Sequence, residues 1–133
     1  MREAAIFMPS EAHRHPEVEM PNFVIAFPVR PGKEEELSKF CNTAMRERKK
    51  EFRASEARLG IPKESWFIQE TPQGRMVLIS FESKDPLKSL GAFGASKDPF
   101  DVRFKEKVRE TTGVDLNQPP AGPLPKEVLT FER

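Results

Sequence analysis

Four acidic side chains lie where the sequence predicts that strands end or helices begin, and such positions could support acid–base chemistry. Glu70 and Glu82 close two predicted strands, and Asp98 and Asp101 stand at the start of a predicted helix. A carboxyl group in a partly apolar cavity has a raised pKa and can act as a general base near neutral pH. The simpler interpretation is that the glutamates are solvated and that Asp98 caps a helix. We therefore assign no catalytic residue from the sequence.

A second set of side chains could line a pocket for a small, largely apolar molecule. Such sites are usually apolar clefts with a few polar groups that orient the ligand. The predicted strands supply both kinds of group, and the ligand-binding residues that we predict are Trp66, Gln69, Met76, Leu78, Ser80, Phe81, Glu82 and Phe131. The alternative is that these side chains only fill a core and an interface between subunits.

Both histidines of the chain lie near its start, in an alternating run with two glutamates. Glu11, His13, His15 and Glu17 could offer imidazoles and carboxylates to a divalent metal ion. A metal site also needs a rigid frame and supporting hydrogen bonds, which a terminal segment rarely provides. We predict no metal site. Cys41 is the only cysteine and lies on the apolar stripe of a predicted helix, so it is expected to be a small buried side chain and not a nucleophile.

Composition and charge make several classes of protein improbable. A chain of 133 residues suits one domain with its own core. The 22 basic and 21 acidic side chains nearly cancel, so no long-range field attracts nucleic acid or anionic lipid. No apolar run approaches the roughly 20 residues that span a bilayer, and no signal-like apolar region follows Arg2. We predict a cytoplasmic protein that binds neither nucleic acid nor membranes.

The elements that must position these side chains follow from local patterns. β-branched and aromatic runs predict strands, and a glycine-containing turn joins two of them as a hairpin. Glutamates at one end and a Gly-Ile-Pro sequence at the other delimit a long helix, and two Asp-Pro pairs mark further helix starts. The predicted elements are a strand at 23–29, a helix at 33–59, strands at 66–71 and 75–82, a short helix from 86, a helix at 99–112 and a strand at 127–131.

This βαββαβ order predicts an α+β, ferredoxin-like fold, in which a four-stranded antiparallel sheet carries its helices on one face. We assign residues 22–133 to this domain. Residues 1–21 contain three prolines and no sustained periodicity, so they are predicted to form an N-terminal arm that is partly ordered at best.

Both faces of the predicted sheet are apolar. Because side chains alternate along a strand, Phe23 and Ile25 face one side and Val24 and Ala26 the other. Two crossover helices cover only one face, and an exposed phenylalanine costs roughly 2 kcal/mol relative to a buried one. The pattern therefore predicts a homodimer in which a second copy covers the remaining face. The alternative is that the arm, through residues 6–8, folds over that face.

Three short segments, together with the element order, resemble the dimeric α+β barrel superfamily. They are Val29–Glu36 at the entry to the first helix, Ser65–Phe67 in the second strand and Ser96–Phe100 at the entry to the last helix. The resemblance covers about residues 21–133. It is closest to small bacterial members of the superfamily without an assigned activity, in a group that also includes antibiotic-biosynthesis-type monooxygenases and stress-responsive barrel proteins. It implies a homodimer whose sheets pack face to face, often with a ligand cavity.

The same resemblance bears on cofactors. Enzymes of the superfamily commonly use a histidine near the start of the last helix, whereas this chain has Asp98-Pro99 there and no histidine after residue 15. The resemblance therefore implies neither the usual haem ligand nor the usual histidine base, and we predict no cofactor.

Together these patterns predict a small α+β barrel protein that binds a small, largely apolar ligand. Cofactor-independent oxygenase or isomerase chemistry is the candidate activity, and it depends on the resemblance alone. The alternative is a non-catalytic accessory or stress-associated dimeric protein, whose barrel serves only for dimerisation. The sequence leaves open whether the protein is an enzyme.

Overall fold

The computed structural model describes residues 20–120 and 122–133. The elements within them are β1 (Asn22–Pro28), α1 (Glu34–Met45), α2 (Lys49–Leu59), β2 (Lys63–Thr71), β3 (Gly74–Glu82), α3 (Pro86–Ala95) and α4 (Pro99–Thr112). The predicted mixed α+β class is confirmed. The predicted arm lies outside the described residues except for its last two positions, so the structure says nothing about His13 and His15.

The three strands form one antiparallel sheet in the order β1-β3-β2. β2 and β3 form the predicted hairpin, and Gly74 at its turn has a φ of 122°, which side chains other than glycine rarely tolerate. Ile25 and Trp66 are both directly opposite Ile79 of the central strand. These three side chains therefore lie on the same face, which we call the inner face.

The predicted strand at 127–131 is not a strand in the structure. These residues belong to no helix or strand, and Val128, Leu129 and Phe131 are 87%, 80% and 74% exposed. A β-forming sequence becomes a strand only when a neighbouring strand accepts its backbone hydrogen bonds. The four prolines between residues 119 and 125 have no N–H to donate, and the segment after them pairs with no strand in the described chain. The four-stranded ferredoxin-like sheet is therefore not seen in a single copy.

The predicted single helix at 33–59 is divided into α1 and α2 by a turn at Arg46–Arg48. The ring centroids of Phe40 and Phe52 lie 5.0 and 5.9 Å from that of Phe104. A straight helix would separate two residues twelve positions apart by roughly 18 Å along its axis. The turn lets both rings pack on Phe104 of α4, so tertiary packing accounts for the break.

The core lies between the inner face and the helices. Its larger part combines strand residues with Leu37 of α1 and Ile61, and a second part is built on Phe100, Phe104 and Val108 of α4. The opposite, outer face carries Ala26, Leu78 and Phe67 in one cross-strand row, and Phe67 is 57% exposed. The prediction that both faces of the sheet carry apolar side chains is thus met in the described strands.

Candidate functional site

A small cavity lies between the inner face and the helices. Its volume is about 50 Å³, enough for a few water-sized groups. Most of its walls are apolar, contributed by the sheet, α2, α3 and α4, but three polar side chains also face it. These are Ser55 and Glu56 of α2 and Glu64 of β2. We call this space the carboxyl cavity.

Glu64 reaches the cavity because the strand register turns it inward. It lies directly opposite Phe81, in the same inner-face series as Trp66, two residues further along β2. The indole Nε1 of Trp66 donates a hydrogen bond to Oε2 of Glu64 at 2.6 Å. Trp66 also packs edge-on against Phe104, with 5.7 Å between ring centroids. The sheet and α4 together therefore hold the indole in position to orient this carboxylate.

Glu56 lies near the end of α2, beside Glu64 on the wall of the carboxyl cavity. Burial, then the hydrogen bond to Glu64 and the negative charges of Glu64 and Asp101, together raise the pKa of Glu56 to about 10. Glu56 is therefore protonated at neutral pH and donates its hydrogen bond to Glu64. A protonated carboxyl beside a second carboxyl group in an apolar cavity provides a hydrogen-bond donor and an acceptor side by side.

A second polar network begins at Ser55 and joins α2 to α4. Asp101 of α4 is fully buried and accepts hydrogen bonds from Ser55 Oγ at 2.5 Å and Ser96 Oγ at 2.6 Å. Arg58 contacts the same carboxylate at 3.1 Å. Burial opposes the charged form, but the hydrogen bonds from Ser55, Ser96 and Arg58 outweigh it and hold the pKa of Asp101 below its ordinary range. Asp101 therefore stays ionised, and it fixes α2 and α4 beside the cavity.

Cys41 does not contribute a nucleophile. Burial, followed by the negative charge of Glu64, raises the pKa of its thiol to about 11. The thiol is therefore protonated and poorly reactive at neutral pH.

The structure divides the predicted ligand-binding residues between the two faces of the sheet. Trp66 and Phe81 line the carboxyl cavity. Five of the others belong to the outer-face series, namely Gln69, Met76, Leu78, Ser80 and Glu82. Phe131 lies in the exposed C-terminal segment. The strand register brings the first two together and separates them from the rest.

The carboxylates considered from the sequence are also dispersed. Glu70 is an exposed strand-end residue 3.4 Å from Arg75, as a solvated glutamate is expected to be. Asp98 caps α4 by accepting a hydrogen bond from the backbone N–H of Phe100, as predicted. Asp101 is buried in its own network, although it stands at the helix entry as predicted.

Sequence reasoning missed Glu56 and Glu64, although both follow a periodic signal. Phe52 and Leu59 stand at the ends of an i, i+3, i+4, i+7 series, and its middle positions are Ser55 and Glu56. Extending the alternation of the second strand backwards from Trp66 likewise places Glu64 on the inner face. The signal in the sequence was that polar residues occupy core-facing positions in both the helical series and the strand alternation.

Comparisons with known proteins give no relationship: no family model matches the chain, and no curated protein or solved structure matches it. No helix in residues 20–120 and 122–133 is both long and apolar enough to cross a membrane. In the same residues, no group of three or more His, Cys, Asp or Glu side chains is arranged to hold a metal ion.

Proposed function

We propose that the domain binds a small, largely apolar molecule with one hydrogen-bond acceptor, such as a carbonyl compound, in the carboxyl cavity. The observation that carries this proposal is the pair of Glu56 and Glu64 on an otherwise apolar wall. In the free protein the proton of Glu56 has Glu64 as its acceptor, and the ligand's acceptor atom takes the place of Glu64 when it binds. Trp66 binds the other carboxyl, so that the donor and the acceptor keep separate roles.

This arrangement supports isomerase-type acid–base chemistry without a cofactor. The Glu64 carboxylate takes a proton from the carbon next to a carbonyl group, while Glu56 gives its proton to the carbonyl oxygen. The product is an enol. In a substrate whose enol is conjugated with a second C=C bond, Glu64 returns its proton to a different carbon while the enol O–H returns its proton to Glu56, so the double bond moves. Glu64 gains one proton and Glu56 loses one, so the charge of the pair is unchanged.

The size of the cavity limits the ligand. A cavity of about 50 Å³ suits a molecule of about four non-hydrogen atoms. At the upper limit of about 1.5 kcal/mol per non-hydrogen atom, such a ligand binds with a dissociation constant of about 40 µM or weaker. Acetone is therefore a suitable probe, titrated into the millimolar range.

The binding test uses the single indole N–H resonance, which belongs to Trp66. Acetone is expected to shift this resonance saturably in the unmodified protein and in Glu56→Gln, because both side chains can donate a hydrogen bond. Glu56→Leu keeps a similar volume without a donor and should abolish the shift. The same non-saturating response in all three proteins would refute the proposed site.

The chemical test follows exchange of the acetone methyl protons in D₂O by NMR. The proposal predicts exchange above the rate in buffer, with loss of that excess in Glu64→Gln. Saturable binding without catalysed exchange would leave a binding protein and reject the isomerase chemistry.

The second candidate is the non-catalytic dimeric protein, and the small volume of the cavity favours it. In that case the carboxyl pair only completes the core, and acetone shifts no resonance saturably.

The ferredoxin-like sheet, the dimeric α+β barrel and the cytoplasmic location are also part of this proposal. The order β1-β3-β2 accommodates a fourth strand at the free edge of β1. The outer face offers an apolar row of Ala26, Leu78 and Phe67 for a two-fold contact with a second copy. The nearly balanced charge and the single cysteine support an intracellular protein.

A further inference from the structure

The C-terminal segment 126–133 has the composition of a strand but pairs with no strand among residues 20–120 and 122–133. Val128, Leu129 and Phe131 are among the most exposed large apolar side chains of the described residues. Two contacts hold the segment to itself. Thr130 donates a hydrogen bond to Glu127, and the Arg133 guanidinium lies 5.7 Å from the ring of Phe131. Such a run of exposed apolar side chains is costly in water and favours a partner.

The free edge of β1 is a place where such a strand could add. β1 pairs with β3 alone, so its other edge has no strand partner among the described residues. Phe23–Phe27 offers five residues before Pro28, which has no N–H. The β-rich run Glu127–Phe131 is also five residues long. The C-terminal run and the free edge of β1 are therefore equal in length.

A groove beside this edge provides space for the added side chains. Its volume is about 480 Å³, and it is bounded by Ile25–Phe27 on one side and by the connection that follows α4 on the other. Leu124 of that connection lines the groove and packs against the core. The apolar wall beside β1 is thus open where an additional strand would lie.

The connection directs the segment away from its own sheet. Leu124 is anchored, and it stands between Pro123 and Pro125. A residue that precedes proline is restricted to extended conformations, and every residue from Pro125 to Arg133 is exposed in the structure. The segment therefore leaves the domain extended and does not turn back onto β1 of the same chain.

From these observations we infer that residues 127–131 of a second copy add to the free edge of β1, and that the exchange is reciprocal. This inference rests on the homodimer in the proposed function and supplies its fourth strand from the partner copy. A two-fold axis makes both additions equivalent, and a proline-rich connection is a suitable hinge for such an exchange.

The test is an isotope-filtered NOE experiment on a dimer mixed from ¹³C-labelled and unlabelled full-length chains. Exchange predicts intermolecular NOEs between the ring of Phe131 on one chain and side chains of β1 on the other. NOEs from Phe131 to β1 within one chain only, or no NOEs to β1, would overturn the inference even if the protein is dimeric.

Sedimentation velocity provides the second arm. Leu129→Asp/Phe131→Asp changes only exposed positions, so the fold should survive, and it is expected to weaken dimerisation at least tenfold. The control Lys126→Gln keeps the apolar run and should leave dimerisation unchanged. If the double variant still sediments as a dimer, strand exchange is rejected but the outer-face contact is not. If the unmodified protein sediments as a monomer, both contacts are rejected. Neither result affects the acetone test of the cavity.

Discussion

The protonated carboxyl of Glu56 on α2 donates a hydrogen bond to the carboxyl group of Glu64 on β2. Only seven residues lie between them in sequence, so the chain must reverse within that short stretch. The turn at Gly60–Pro62 reverses the chain between the two elements. Gly60 caps α2 with a φ of 73°, in the left-handed region, so the reversal is built into the helix end. The helix end and the strand start are thereby brought together at the carboxyl cavity.

Substitution Glu56→Gln tests the buried proton of Glu56 through stability. In the unfolded chain Glu56 ionises near its ordinary pKa of 4.5, whereas the folded state keeps the proton up to about pH 10. Between these values the folded state binds more protons, so the unfolding free energy falls as pH rises, by up to about 1.4 kcal/mol per pH unit. Glu56→Gln should lose this dependence and be the more stable protein at pH 8. Urea unfolding at several pH values measures it, and the exposed Glu47→Gln should keep the wild-type slope.

Substitution Asp101→Asn should destabilise the fold by about 2–4 kcal/mol, because Ser55, Ser96 and Arg58 lose a buried charged acceptor. The lowered pKa of Asp101 stabilises the folded protein above the ordinary value of 3.8. That contribution is lost as pH falls through the folded pKa, so the variant should show a weaker acid transition. Asp98→Asn keeps the cap and should cost less than about 1 kcal/mol. Equal losses in the two variants would contradict the buried network.

Two glycines of α3 should respond in opposite directions to alanine. A Cβ on Gly94 would lie 2.8 Å from the backbone oxygen of Leu116, so Gly94→Ala should cost about 1–3 kcal/mol. A Cβ on Gly91 would meet nothing within 4 Å, so Gly91→Ala should stabilise the helix by about 0.5–1 kcal/mol. Thermal unfolding of the two variants provides the comparison. A stabilised Gly94→Ala would show that the connection after α4 does not pack closely on α3.

Substitution Leu78→Glu tests the proposed outer-face contact. We expect the unmodified protein to sediment as a dimer at micromolar concentration and Leu78→Glu to be monomeric, since a charge would enter an apolar interface. Val102→Glu makes the same change on the exposed side of α4 and should remain dimeric. A monomeric unmodified protein would reject the dimer.

Much of the local structure could be predicted from sequence because its causes are local. The Asp-Pro starts of α3 and α4, the glycine turn of the hairpin and the alternation of β3 appear in the structure as expected. The break between α1 and α2 could not be predicted in this way, because it depends on Phe40 and Phe52 both packing on Phe104 of a distant helix.

The site shows the same division. Strand alternation alone shows that Trp66 and Phe67 face opposite sides, but only register across the sheet shows that Trp66 joins Phe81 while Met76 and Leu78 do not. The juxtaposition of Glu56 with Glu64 is also tertiary, because the two patterns that turn them inward belong to different elements.

The sequence by itself determined the α+β class, the helix caps and the presence of apolar side chains on both sides of the sheet, because propensity, capping and alternation act over a few residues. Only the tertiary structure decided which carboxyl groups share a cavity and that segment 127–131 pairs with none of the strands that the structure describes. Those outcomes depend on which elements pack together, and a linear pattern does not encode the distance between them.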